Sequence, residues 1–170
     1  MPMIKKQFIP TGGFGSRNRG FTLIEVLIAV IVMSIGLLGL AGLQATGMRN
    51  NHTAYLRSQA TVLAYDIVDR MRATRSRTVA NLGQLSSYAI GIGDSPSSST
   101  DCSTNLCSAA QMASYDLVQW KAALNQALPL GDGSLTVNVN GSIVTVTVAV
   151  QWDEDRDGAL DPAFQVVTQL

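Results

Sequence analysis

Three sets of residues have the types and spacing to do chemistry. Glu25 is the single charge between Phe21 and Leu43, four positions after Phe21 and five after Gly20. Cys102 and Cys107 are the only cysteines, with four residues between them. Asp153, Asp155, Asp157 and Asp161 crowd one segment, DEDRDGALD. A carboxylate inside hydrocarbon costs about 2.5–3.5 kcal/mol on insertion scales, less near the interface, and intramembrane ionisable residues usually have a partner. Cutting the Gly20–Phe21 bond would create one, a free α-amine on Phe21 that shares an apolar surface with Glu25. Across a membrane, where disulfides persist, Cys102 and Cys107 would close a small loop. Zinc needs more ligands than two cysteines at this spacing, and the one histidine, His52, is distant and reads as an exposed helix residue. The C-x-x-C spacing of redox catalysis is missing. Asp153, Asp155, Asp157 and Gly158 match the first half of an EF-hand loop, but Phe164 stands where the twelfth-position Glu belongs. Two readings of this segment stand: an acidic turn without an ion, or a calcium site using Asp153, Asp155, Asp157 and Asp161. No other metal or cofactor is expected.

These residues need elements to hold them. As a helix, the 23 residues from Phe21 to Leu43 extend roughly 35 Å, enough for a hydrocarbon core of about 30 Å. No small-residue cleavage pattern closes the run, which disfavours an ordinary secretory signal. Lys5, Lys6, Arg17 and Arg19 precede it with no acidic residue, so the positive-inside bias places the N-terminus in the cytoplasm and the bulk of the chain across the membrane. The helical pattern then continues. Leu56, Ala60, Leu63, Ile67 and Met71 form an apolar stripe beside Arg57, Asp66, Asp69 and Arg70, which predicts one helix from Phe21 to Arg75. Gly36, Gly39, Gly42 and Gly47 each cost about 1 kcal/mol relative to Ala in an isolated helix. They are read as local loosening, as sites of close helix approach, or as neutral composition.

Residues 76–100 read as loop, with SPSSST its clearest part and a short strand over Tyr88–Ile92. Ser108 caps a second helix, residues 109–128, whose Leu117, Trp120, Leu124 and Leu128 give one apolar face before Pro129 ends it. Beyond Pro129 the period switches to two. Residues 134–140 and 142–152 pair as a hairpin about Asn140-Gly141, with Leu135, Val137, Val139, Val144, Val146, Val148, Val150 and Trp152 on one face. Phe164–Gln169 adds a strand. The fold class is therefore α+β: a long N-terminal helix, transmembrane in its first half, packed on a small antiparallel sheet with a second helix. The expected divisions are a basic leader over 1–20, a transmembrane helix over 21–43, its continuation over 44–75, and a globular domain over 76–170.

Charge excludes one function class. The chain has 12 basic and 12 acidic residues, and the leader holds four of the basic ones and no acid. The chain beyond Gly20 has too few cations for the electrostatics of direct nucleic-acid binding. Arg70, Arg72, Arg75 and Arg77 close the long helix, where cations suit the dipole. No constellation of nucleophile, histidine and carboxylate is visible beyond the anchor, so a membrane-anchored periplasmic enzyme is disfavoured.

The segment GFTLIEVLIAV, placed after basic residues and opening an apolar run, resembles the class III signal of type IV pilins and pseudopilins. The resemblance implies a type IV pilin-like fold. It also implies a non-enzyme that is the substrate of a prepilin peptidase, which would cut after Gly20 and N-methylate Phe21. The residue at Glu25 would help dock the subunit against the N-terminus of a neighbour. GLLGLAGLQ at residues 36–44, CSAAQMASYDLVQWKAALNQALPLGDG and the hairpin ending in Trp152-Asp153 are similar to the PilV group of minor pilins, the type IV pilus modification proteins. That likeness implies a single-pass inner-membrane subunit with a periplasmic C-terminal domain, carried into a surface pilus. Its partners would be other minor pilins and the major pilin, and its roles priming of filament assembly, adhesion, twitching motility or DNA uptake. A minor pseudopilin of a type II secretion system shares the same plan.

Overall fold

The computed structural model describes residues 20–75, 79–161 and 163–170, with backbone only at 79–81. Lys5, Lys6, Arg17 and Arg19 of the leader, and Arg77, lie outside the described residues. The order of elements is helix α1 (Leu23–Thr74), a 3-10 helix (Val79–Tyr88), helix α2 (Ala109–Ala127), and strands β1 (Asp132–Asn140), β2 (Ile143–Gln151) and β3 (Phe164–Gln169). The architecture is α+β. Residues to Thr46 and residues from Gly47 onward form two compact units.

In the first unit, Thr22 starts α1. Its hydroxyl accepts the Glu25 N–H at 3.3 Å, an N-cap that supplies one of the orphan donors of the first turn. From Leu23 to Thr46 every residue is exposed, including Leu27, Ile31, Ile35 and Leu38. By length and composition this helix is long and apolar enough to cross a membrane. Helix α1 runs unbroken through Gly36, Gly39, Gly42 and Gly47. They are flanked by strong helix formers, Leu and Ala above all, which offset the glycine penalty.

The second unit is built around the later turns of α1. Leu56, Ala60, Ala64, Ile67, Val68 and Met71 are buried, while Leu63 is only partly so. Ser108 caps α2 through a reciprocal box, its hydroxyl accepting from Gln111 N and its own N–H donating to Gln111 Oε1. Ala113, Leu117, Trp120 and Leu124 bury the inner face of α2. The sheet has the order β1-β2-β3 and is antiparallel throughout. Val144, Val146, Val148 and Val150 of β2 are fully buried beneath it, whereas Val139 on β1 is left exposed.

Three sequence readings need correction. The segment read as loop contains the 3-10 helix, which buries Leu82, Leu85 and Tyr88. The strand expected over Tyr88–Ile92 is a single bridge, Ile90 to Leu135. In the hairpin, Asn140 ends β1 opposite Ile143, so the turn residues are Gly141 and Ser142. Only Gly141 has positive φ, +60°, as a type II′ turn requires at its first central position.

Two polar clusters fix the helices. Asp116 on α2, buried, accepts from Tyr88 Oη at 2.6 Å and from Arg70 of α1 at 3.2 Å, and Arg70 also donates to Asp66 at 2.9 Å. Burial first, then the bond to Asp116, raises the Tyr88 phenol above its ordinary pKa. On the other side Lys121 pairs closely with Asp132 and donates to Gly91 O at 3.0 Å. Asp132 also accepts from Gly93 N at 2.6 Å and Gly133 N at 2.7 Å. Burial raises its carboxyl, but Lys121 and these two N–H groups outweigh burial and hold it below the ordinary value.

Asp116→Ala would leave the Tyr88 hydroxyl only Thr74 Oγ1, at 3.0 Å, and the Arg70 guanidinium only Asp66, and the expected loss is roughly 1–3 kcal/mol. Asp116→Asn, which keeps an acceptor, should lose less. Urea midpoints of the detergent-solubilised chain decide this, and an unchanged midpoint for Asp116→Ala would show that the cluster contributes nothing to stability. Because the folded Asp132 carboxyl is depressed, its contribution is present above the unfolded pKa of about 3.9 and is lost as pH falls through the lower folded value. Asp132→Asn should therefore be less stable at neutral pH and show a shallower loss of stability below about pH 4 than the parent chain. Parallel acid limbs in thermal scans would contradict the assignment.

Candidate functional site

The N-terminal residues singled out by the sequence sit at the start of α1. Gly20 precedes the helix and is exposed, and among the described residues a side chain placed there meets no atom within 4 Å. Phe21 is 82% exposed and still outside the helix. Glu25 lies in the first helical turn, where the dipole favours a carboxylate. Phe21, Glu25, Val26, Ala29, Val30 and Met33 line one shallow groove of about 430 Å³. Glu25 is its only charged member. The arrangement is an accessible peptide bond, Gly20–Phe21, one turn ahead of a lone carboxylate on an apolar surface. Sequence reasoning missed Thr22, although Thr-x-x-Glu before an apolar run is itself a helix-start signal.

Cys102 and Cys107 are joined, with Cα atoms 5.7 Å apart. Just before the bridge, the Asp101 carboxylate accepts from Ser103 Oγ at 2.6 Å and Ser103 N at 2.9 Å, which lowers its pKa. The bridge ends one residue before the Ser108 cap. It therefore sets the chain's entry into α2.

In the acidic turn the structure brings Asp153, Asp155 and Asp161 together, with one carboxylate oxygen from each within 4.8 Å of the others. Asp157 is not in this group. Its carboxylate instead accepts from Ala159 N at 2.8 Å. Asp153, 5% exposed, accepts from Arg156 N at 2.6 Å, Asp157 N at 3.1 Å and Gly158 N at 3.0 Å. Asp161 accepts from Glu154 N at 2.6 Å. These donors also hold Arg156 at φ +65°, a conformation that a residue with a Cβ adopts at a cost. The turn is thus tied by its own backbone N–H groups. His52 is exposed on α1, its Nε2 3.5 Å from the Arg156 guanidinium, and Arg57 bonds Glu154 at 3.1 Å. Of the arginine cluster, Arg70 is tied to Asp66 and Asp116, and Arg72 to Asp69 at 2.8 Å and Thr168 at 3.4 Å.

Comparison with known families agrees with this geometry in two adjoining segments. Residues 15–41 match the Prokaryotic N-terminal methylation motif, and residues 42–118 match the family described as Type IV pilin Tt1218, Tt1218-like. No curated protein and no solved structure matches the chain. The long apolar N-terminal helix, the second helix and the small antiparallel sheet are the parts of a type IV pilin fold. Over residues 15–118 the chain thus matches type IV pilins with an N-terminal methylation motif, components of a pilus or of a pseudopilus, and the fold agrees.

Proposed function

We propose that the chain is a minor pilin of the PilV type, which primes or modifies assembly of a type IV pilus. The observation that carries the reading is Glu25: one carboxylate, one turn beyond an exposed Gly20–Phe21 bond, on a helix otherwise apolar and exposed to Leu43. A prepilin peptidase at the cytoplasmic face would cut that bond and methylate the new amine of Phe21. The basic residues Lys5, Lys6, Arg17 and Arg19 support this orientation, with the domain after Gly47 in the periplasm. In the membrane the carboxylate of Glu25 is costly, and the amine of a neighbouring subunit offsets that cost when the two meet. The chain itself acts as a substrate and building block. The Cys102–Cys107 bridge suits the oxidising compartment that this topology gives it.

Two substitutions separate processing from assembly. Among the described residues a side chain at Gly20 meets nothing, so an effect of Gly20→Phe on processing is expected to arise at the peptidase. Full-length precursor should accumulate in membranes on immunoblots, and a mature-sized band would move the cut elsewhere. Glu25→Ala should insert and be cleaved normally but reach sheared pili at least about tenfold less, the effect of losing ~1.4 kcal/mol of pairing. Normal incorporation would sink the role given to Glu25. Mass spectrometry of sheared pili should find a peptide starting at N-methylated Phe21. The same peptide confined to membranes would point to a type II secretion pseudopilus instead.

A further inference from the structure

The chain joins an Asn or Asp to Gly at three places: Asp132–Gly133, Asn140–Gly141 and Asp157–Gly158. Glycine has no side chain to shield its nitrogen, so at each step that nitrogen can reach the side-chain carbonyl carbon of the residue before it, provided both groups are free. At two of the steps they are tied. Gly133 N donates to Asp132 Oδ1 at 2.7 Å, the same carboxylate is held by Lys121 and by Gly93 N at 2.6 Å, and Gly133 is buried against Trp120. Gly158 N donates to Asp153 Oδ2 at 3.0 Å, and the Asp157 carboxylate accepts from Ala159 N at 2.8 Å.

Asn140–Gly141 differs in each respect. Leu135 turns its N–H and C=O away from β2 to exchange bonds with Ile90 at 2.9 and 3.1 Å, so the odd-numbered residues of β1 point outward and the even-numbered ones bond to β2. Asn140 and Ile143 are therefore the last bonded pair, and Gly141 N lies beyond them in the turn. Among the described residues, neither Gly141 N nor the Asn140 side-chain amide has a hydrogen-bond partner. Asn140, Gly141 and Ser142 are all exposed, and among the described residues a side chain at Gly141 would meet nothing within 4 Å. From Thr136 to Thr147 the hairpin carries no charge.

We propose that Asn140 is a self-modifying site, converted by its own turn and water to aspartate and isoaspartate. Gly141 N attacks Asn140 Cγ. A C–N bond forms there, the Cγ–Nδ2 bond breaks, and Nδ2 leaves as ammonia with the proton that Gly141 N gives up. The product is a five-membered succinimide with two carbonyls. Water adding at Cγ reopens the ring to aspartate. Water adding at the main-chain carbonyl breaks the original peptide bond instead and leaves the chain running through Cγ, as isoaspartate. Ring closure takes Asn140 out of the extended geometry of β1, so the reaction proceeds when the closing pair with Ile143 opens. That opening is local. The flanking Val139 and Ile143 are 43% and 52% exposed, and opening costs least where few apolar contacts hold an element end. Either product places a carboxylate on a tip that had no charge, and isoaspartate also lengthens the main chain by a methylene, which a two-residue turn does not absorb. What the hairpin tip presents thus changes with the age of the subunit, whichever filament the chain enters.

The test holds the full chain in detergent at mildly alkaline pH, folded by near-ultraviolet circular dichroism, and maps its peptides over time by mass spectrometry with fragmentation that separates isoaspartate from aspartate. Asn140 should gain about 1 Da as its amide becomes an acid, with isoaspartate among the products. Asn125 in α2 and Asn138 in the ladder lie on the same tryptic peptide, residues 122–156, and should convert at least about tenfold more slowly. Isoaspartate at Asp132 and Asp157 should stay at least about tenfold below that at residue 140. Asn140→Gln, whose ring would need six members, should leave position 140 unmodified over the same period. Unfolding in urea should raise isoaspartate at Asp132 and Asp157 by a larger factor than at Asn140, because unfolding releases the groups that their folded surroundings tie. An Asn140 that stays intact in the folded chain, equal conversion of Asn125 or Asn138, or isoaspartate appearing first at Asp132 or Asp157 would each overturn the proposal.

Discussion

The domain from Gly47 onward depends on how one side chain, Trp120, is held. Its indole N–H donates to the carbonyl of Leu63 in α1 at 2.9 Å, and the ring is fully buried. Beneath it runs β1 at Gly133, where a Cβ would stand 2.5 Å from the ring and 2.8 Å from Leu124. The absence of a side chain at Gly133 is what lets α2 settle on the sheet. Trp120 thereby ties α1, α2 and β1 at one point. Truncating a buried Trp typically costs about 3–5 kcal/mol, against a net stability of about 5–15 kcal/mol for a whole domain. The polar clusters at Asp116 and at Lys121–Asp132 lie on either side of this joint and orient α2 about it.

Much of this architecture is legible in the sequence because its periods are simple. The i, i+4 stripe from Leu56 to Met71, the Ser108 cap and the valine alternation of β2 each name their element directly. The features that escape a sequence reading do so for physical reasons. Leu82, Leu85 and Tyr88 recur every three residues, the period of a 3-10 helix, and this weak signal sits among Ser and Gly that read as loop. Asp116 would ordinarily be placed on a solvated helix face. Only the fold shows that Tyr88 and Arg70, 28 and 46 residues away, converge on it. The hairpin is legible but its turn falls one residue later than Asn140-Gly141 suggests, because Gly141 can open a type II′ turn as readily as close a type I′ one.

The candidate site is legible in a different way. Gly20, Phe21 and Glu25 carry their meaning in spacing and hydropathy, and the structure adds the start of the helix. Acidic spacing is a poorer guide. It groups Asp153, Asp155, Asp157 and Asp161, whereas the turn brings only Asp155 and Asp161 to Asp153 and leaves Asp157 to its own backbone bond. In short polar turns, which carboxylates converge is decided by backbone donors such as Arg156 N and Gly158 N, and these have no sequence signature of their own.

The position of Thr22 bears on how the leader can be removed without cost to the fold. The first turn of α1 begins at Leu23, and its N-terminal bonds go to the Thr22 hydroxyl and carbonyl. Both lie on the far side of the proposed cut from Gly20. Cleavage at Gly20–Phe21 therefore leaves the helix cap in place, and exchanges an amide for a charged amine at the positive end of the helix dipole. That end is a poor place for a cation and a good one for the Glu25 carboxylate. The new amine is better accommodated against a carboxylate than left alone at its own helix start. Among identical or related helices packed side by side, the carboxylate one turn further along a neighbour is the group that can supply this. In the proposed assembly, local electrostatics at a capped helix terminus would give a direction as well as a driving force, from residues Phe21 to Glu25 alone.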